Sequence, residues 1–327
     1  MYLKTLAYLL IFLLVGELIV RFDKRFQPFA ENSTVKTAIQ LGESEELRLL
    51  THQSLPSTNN DLRVMILGDS YIYGAGINPA NNFSNQLRTL LKSSVTDGRN
   101  VYILDVSRPS NNTLDNYNTY FTFVNAFNPN FIILAYNIND INGNLEATTD
   151  IKKTLTASPM GKASASRIKK VYDVLYTSAL LQMALKSSNK QLKSMGYVIP
   201  SSKFGQDLQS YQTNASNWIK SKELLSEMLT DAAQRNIKTI TLLMPEMDLL
   251  KRPEIFYEAD TSIQNFFSSN PAVTFINGRN LFDKEEGATY RLSKYDGHLN
   301  EKAHTLLANH GREIIATLQR NSDSGPF

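Results

Sequence analysis

Val64-Met65-Ile66-Leu67-Gly68-Asp69-Ser70, continued by Tyr71-Ile72-Tyr73-Gly74-Ala75-Gly76, is the stretch from which the fold can be read. Four consecutive apolar residues bounded by a turn signal read as a buried strand, since the run is too short for a helix. Gly-Asp-Ser breaks it off sharply. Beyond the break, Phe83-Ser84-Asn85-Gln86-Leu87-Arg88-Thr89-Leu90-Leu91 places its apolar residues at helical spacing. Strand, tight turn and helix in that order put Ser70 at the carboxyl end of a strand, the edge at which open α/β sheets bind ligands. A hydroxyl there points into a crevice, near a helix N-terminus that favours negative charge. Taken alone, Gly-Asp-Ser also fits an ordinary turn, because all three residues favour turns.

Outward from this stretch the pattern repeats. Further strands are expected at Val101–Val106, Phe131–Tyr136, Thr239–Leu243 and Val273–Ile276, with helical spacing in Phe83–Lys92, Leu224–Arg235 and Glu301–Gln319. Short, nearly continuous apolar strands alternating with helices imply a five-stranded parallel sheet covered on both faces, a three-layer α/β/α sandwich. Asn300 is the expected N-cap of the last helix, with Glu301 in its first turn. Residues 141–237 exceed what one crossover needs and read as a helical insertion over the active-site end, with helix at Ala163–Ser187 and within Leu208–Arg235. The globular domain is expected over residues 61–320, followed by a tail at 321–327.

The chain has 327 residues, 42% of them hydrophobic and 20% charged, the make-up of an ordinary globular protein. Its 34 basic residues are interspersed with 31 acidic ones, so the net charge of +3 implies no nucleic-acid partner. The lack of cysteine rules out disulfides, thiolate nucleophiles and Cys-ligated zinc. The outlier is Leu6–Val20, apolar except for Glu17 and flanked by Lys4, Arg21, Lys24 and Arg25. Fifteen residues rise about 22 Å as a helix, short of the roughly 30 Å hydrocarbon core, but snorkelling by Lys4 and Arg21 makes a span feasible. Val15-Gly16-Glu17 is a poor cleavage site, so residues 1–22 read as an uncleaved membrane anchor and the polar residues 23–60 as a tether. A core helix of the globular domain is the alternative reading. By the positive-inside rule, the excess of Lys and Arg after the segment would hold the domain in the cytoplasm.

Three more stretches fall at strand ends on the edge that carries Ser70: Asp105-Val106-Ser107-Arg108-Pro109-Ser110, Asn137-Ile138-Asn139-Asp140 and Tyr295-Asp296-Gly297-His298-Leu299-Asn300. Acyl transfer through serine needs a base for the hydroxyl proton, a carboxylate to hold that base in one tautomer, and fixed donors for the oxyanion. Ser70 would be the nucleophile, His298 the base and Asp296 its orienting carboxylate. The N–H of Ser70, the N–H of Ser107 and the amide of Asn139 would receive the oxyanion, whereas Pro109 has no N–H to give. Tyr71, Tyr73 and Tyr136 lie near enough to stack on a sugar ring, or simply pack.

These blocks, in this order over about residues 61–315, resemble the SGNH (GDSL-type) esterase and acyltransferase superfamily. Gly68-Asp69-Ser70 is similar to its nucleophile block, Asn139-Asp140 to its Asn-Asp block and Asp296-Gly297-His298 to its closing block, here spaced Asp-x-His where many members have Asp-x-x-His. That spacing, and the run Glu17-Leu18-Ile19-Val20-Arg21, are similar to membrane-anchored relatives that handle O-acetyl groups on envelope polysaccharides. Two positions depart from the family pattern: Ser107 and Asn137 stand where it has glycine. Serine keeps a donor provided its φ stays negative, and asparagine tolerates left-handed geometry. The resemblance implies a flavodoxin-like sheet and a serine esterase or O-acyltransferase acting on an acylated carbohydrate or other small ester. It implies no cofactor, and a membrane acyl-donor protein as partner if the chain is a transferase. It also implies a domain on the periplasmic side of the inner membrane, against the charge count. Histidines 298, 304 and 310 are six residues apart, about 240° around a helix at each step, so they share no face and no metal site is expected. A binding module that keeps the shape but has a compromised oxyanion hole is the alternative function.

Overall fold

Leu62–Gly68 (β1) is buried along its whole length, which explains why its sequence does not alternate between apolar and polar. It lies between the first two of its partners in a parallel sheet with Val101–Asp105 (β2), Phe131–Tyr136 (β3), Lys238–Leu243 (β4) and Val273–Asn277 (β5), in the order β2-β1-β3-β4-β5. The computed structural model describes Val15 and residues 61–94, 98–141, 203–212, 215–284, 286–293 and 296–323. The order is that of a flavodoxin-like, doubly wound sheet, which reverses direction between β1 and β3 and opens its ligand crevice there. Register sets Gly68 beside Ala135, so the ends of β1 and β3 are level.

Alternate residues of each strand feed opposite cores. Met65, Leu67, Leu104, Ile132 and Leu134 pack against Thr113–Phe127 (α3), Ser216–Gln234 (α5) and Tyr257–Ser268 (α6) through Tyr120, Phe127, Trp218, Leu225 and Phe267. Val64, Ile66, Ile103, Ile133 and Leu242 pack against Phe83–Ser94 (α2) and Glu301–Asp323 (α7) through Phe83, Leu87, Leu307 and Ile315. Each such side chain contributes about 1.5–3 kcal/mol by leaving water. The α/β/α layering follows from this two-sided burial.

Two elements differ from the reading of the sequence. The end of the expected insertion, α5 from Ser216, closes the sheet face beside β4 and α3. Between Ser70 and α2 there is a four-residue helix, Ser70–Tyr73 (α1), then a 3-10 turn at Pro79–Asn81. The last helix is capped as expected, with Asn300 Oδ1 accepting from the Ala303 N–H at 3.1 Å, and runs on to Asp323, into the expected tail. The remaining described helix of the insertion is Lys203–Gln209 (α4). The anchor, the tether and the helix expected at Ala163–Ser187 lie outside the described residues. Among those described, no helix is long and apolar enough to cross a membrane.

Candidate active site

The chain turns out of β1 within two residues. An added Cβ on Gly68 would stand 2.7 Å from Ile72 Cγ2 and 2.9 Å from the Ala135 carbonyl, so only glycine lets α1 and β3 close on the strand end. Asp69 then caps α1, its Oδ1 accepting the Tyr71 N–H at 2.9 Å. Gly74 ends α1 in left-handed geometry with φ 84°. Ser70, the first residue of α1, is left half-buried at the crevice.

The opposite wall is a hairpin-like loop before α7. Arg291 and Leu299 form an antiparallel bridge, Leu292 N–H donates to the His298 carbonyl at 2.7 Å, and Arg291 is ion-paired with Asp248. Asp296 Oδ1 accepts the His298 backbone N–H at 3.0 Å and stands 2.6 Å from His298 Nδ1. One oxygen thus serves both groups. The Asp-x-His spacing works because the side chain folds back over its own turn. His298 Nε2 lies 2.9 Å from Ser70 Oγ, across 228 residues of chain. With Nδ1–H donating to the carboxylate, Nε2 carries its lone pair toward the serine.

Burial of the ring pulls the His298 pKa down, but the Asp296 hydrogen bond and the charges of Asp296, Asp69 and Glu246 outweigh it, and the net shift is upward. Asp69 is pushed up to about 6 by burial, against the Tyr71 N–H, the His298 charge and a hydrogen bond with the Asn139 side chain. Asn139 is half-buried on the 3-10 turn Ile138–Ile141 after β3. Asp140 behind it is fully buried, accepts the Asn137 N–H at 3.1 Å and has its pKa raised by burial and by the Asp69 charge.

Ser107 is the correction. It is fully buried, and its N–H, expected at the oxyanion, instead donates to Asp105 Oδ1 at 3.0 Å. The next N–H, that of Arg108, donates to the Gly68 carbonyl at 3.1 Å and extends the β1–β2 ladder. The Asp-x-Ser spacing of Asp105 and Ser107, a turn-forming pair, was the signal in the sequence. Neither Ser107 nor Asn137 has positive φ; the left-handed residue of the loop after β2 is Ser110, with φ 71°. Tyr136 is also unavailable to a ligand: it is fully buried, edge-on to Phe267, with its hydroxyl 3.2 Å from that of Tyr211. His304, instead of reaching the crevice, is buried under α2, where its Nδ1 accepts the Phe83 N–H at 3.0 Å and desolvation lowers its pKa to about 3. Sequence reasoning missed Glu246, on the loop after β4, which accepts from the Tyr71 hydroxyl at 3.1 Å. A lone glutamate after a proline carries no motif, and only the fold brings it here.

No family model matches the chain, and no curated protein matches it. Solved structures with a similar fold include a family 3 carbohydrate esterase from Clostridium thermocellum, at 14% identity and TM-score 0.45, over 80% of this chain and 98% of that one. The psychrotrophic esterase EstA from Pseudoalteromonas sp. is similar at 10% identity and TM-score 0.45, over 80% of this chain and all of its own. A member of the lipolytic protein G-D-S-L family from Veillonella parvula is similar at 11% identity and TM-score 0.43, over 78% and 98%.

Proposed function

We propose that the chain is a serine-dependent esterase or O-acyltransferase that works through an acyl-enzyme. The observation that carries this is the unbroken line from Asp296 through His298 to Ser70, with heavy-atom spacings of 2.6 and 2.9 Å and all three side chains half-buried, so within reach of a small ester. Ser70 Oγ attacks the ester carbonyl while His298 Nε2 takes its proton. Asp296 keeps the ring in the required tautomer and stabilises the imidazolium. The oxyanion is received by the Ser70 N–H, which in the first turn of a helix has no internal acceptor, and by the Asn139 amide. When the tetrahedral intermediate collapses, His298 returns the proton to the leaving alcohol. Water then removes the acyl group in a hydrolase, or a second hydroxyl does so in a transferase. A small acyl ester of a carbohydrate, acetyl first among them, is the substrate we favour on the motif resemblance, with half-buried Tyr73 beside the nucleophile as the ring available to a sugar. We place the domain outside the cytoplasm on a membrane anchor, which a phosphatase or fluorescent-protein fusion after residue 60 tests.

Ser70→Ala removes the nucleophile while leaving α1 capped by Asp69, so it should abolish both p-nitrophenyl acetate turnover and labelling by a fluorophosphonate. Undiminished labelling of that variant refutes the assignment. The engagement of Ser107 N–H by Asp105 favours a second reading, a glycan-binding module with an incomplete oxyanion hole. Glycan affinity without turnover over a panel of acylated sugars would select it.

A further inference from the structure

The two hydrogen bonds that hold the His298 ring lie at its two nitrogens and leave it free to rock about the line between them. A contact on the ring face is what stops this motion. Tyr71 supplies one: the two ring centroids are 4.9 Å apart with planes inclined at 42°. Tyr71 follows the nucleophile directly and sits on the same short helix, so the platform and Ser70 are fixed relative to each other by a single peptide unit. The tyrosine is buried, and its far end is tied down where its hydroxyl donates to Glu246 Oε1 at 3.1 Å. Glu246 therefore acts on the imidazole through Tyr71, from a strand end that carries none of the other reacting groups.

We infer that Tyr71 and Glu246 are a positioning pair for the base. The Tyr71 ring, pinned through its hydroxyl, holds His298 in line with Ser70, and the Glu246 carboxylate favours the imidazolium that forms when Ser70 gives up its proton. This role rests on the acyl-enzyme reading. The charged and titratable groups around His298 and the pair are Asp296 and Arg291 on its own loop, Asp69 and Tyr71 at the end of β1, Glu246 and Asp248 after β4, His304 on α7, and buried Arg279 after β5, whose charge acts on Glu246 and Tyr71. Arg291 is paired with Asp248, which leaves Asp296, Asp69 and Glu246 as the charges that raise the His298 pKa against burial.

Two variants separate the platform from the charge. E246Q keeps an oxygen for the Tyr71 hydroxyl and removes only the charge, whereas Y71F keeps the ring and removes the tether. The full chain has four histidines, so selective isotope labelling of their imidazoles gives few enough signals to follow His298 by NMR titration. In E246Q we expect the His298 pKa to fall by about half a unit, with the acid limb of kcat/KM for p-nitrophenyl acetate moving equally. In Y71F we expect kcat to drop about tenfold with KM within about twofold. A His298 titration unmoved in E246Q, or wild-type kcat in Y71F, overturns the inference. If the wild-type chain turns over no ester and takes no fluorophosphonate, the esterase reading fails, and the E246Q titration still decides whether Glu246 acts on the imidazole.

Discussion

A single oxygen, Asp296 Oδ1, faces both the backbone N–H and the Nδ1 of His298, and much of the site's chemistry depends on that double contact. In Asp296→Asn, the amide oxygen can still accept from both groups, but the negative charge that stabilises the imidazolium is gone. We expect kcat to fall by about 10³–10⁴-fold with little change in thermal stability, as steady-state kinetics and a melting curve would show. If the Asn139 amide receives the oxyanion as proposed, Asn139→Ala should lower kcat by about 10²–10³-fold. Ser107→Ala keeps the backbone N–H and removes only the hydroxyl that also donates to Asp105, so kcat should stay within about threefold. At this scale the sequence singled out Ser70, Asp296 and His298 by type and local spacing, and the structure brings their side chains together. It was misleading at Ser107, because a backbone N–H is indistinguishable in a sequence whether it faces a ligand or a neighbouring carboxylate.

Among the elements, β1 and its turn were readable because burial on both faces demands an unbroken apolar run and close approach demands Gly68. Gly68→Ala would force Ile72 and the end of β3 away from the strand, so we expect a loss of at least about 2 kcal/mol in urea unfolding. The helix α3 was not readable. Its sequence, TLDNYNTYFTFVNAF, is rich in Asn, Thr and aromatic residues, which are poor helix formers, and packing against α5 and the sheet overrides that preference. Its one local signature is the capping box, in which Asn112 Oδ1 accepts from the Asp115 N–H and Asp115 Oδ2 from the Asn112 N–H, both at 3.0 Å. Asn112→Ala should destabilise the fold by about 1 kcal/mol, read as a lower urea midpoint at constant slope.

Over the whole molecule, buried titratable groups separate stability from activity. Burial raises Asp69, Asp105 and Asp140 in the folded state, so each weighs against folding at neutral pH and is relieved as pH falls through its folded pKa toward 3.8. The raised His298 adds stability below 6.5 and loses it as pH rises through its folded pKa. His304 has the opposite sign: neutral in the fold, its contribution is complete above 6.5 and lost as pH falls toward 3, about 2 kcal/mol of it by pH 5. The carboxylates outweigh it in number. We expect kcat/KM to fall on acidification from pH 8 to 5.5 as His298 gains its proton, while the calorimetric Tm holds or rises. A Tm that falls in step with activity would contradict this balance.

The amino-acid sequence by itself determined the strands, their two-sided burial, the parallel sheet they imply, and the turn residues that carry a serine, a histidine and a carboxylate to one edge. These follow from side-chain polarity and local backbone preference, which act over a few residues. Only the tertiary structure decided which hydrogens face the crevice: it turned Ser107 inward to Asp105, drew α5 onto the sheet, and set Glu246 behind Tyr71 across 175 residues. Those outcomes depend on packing between segments distant in the chain, where the satisfaction of one buried polar group is settled by whatever neighbour the fold brings to it.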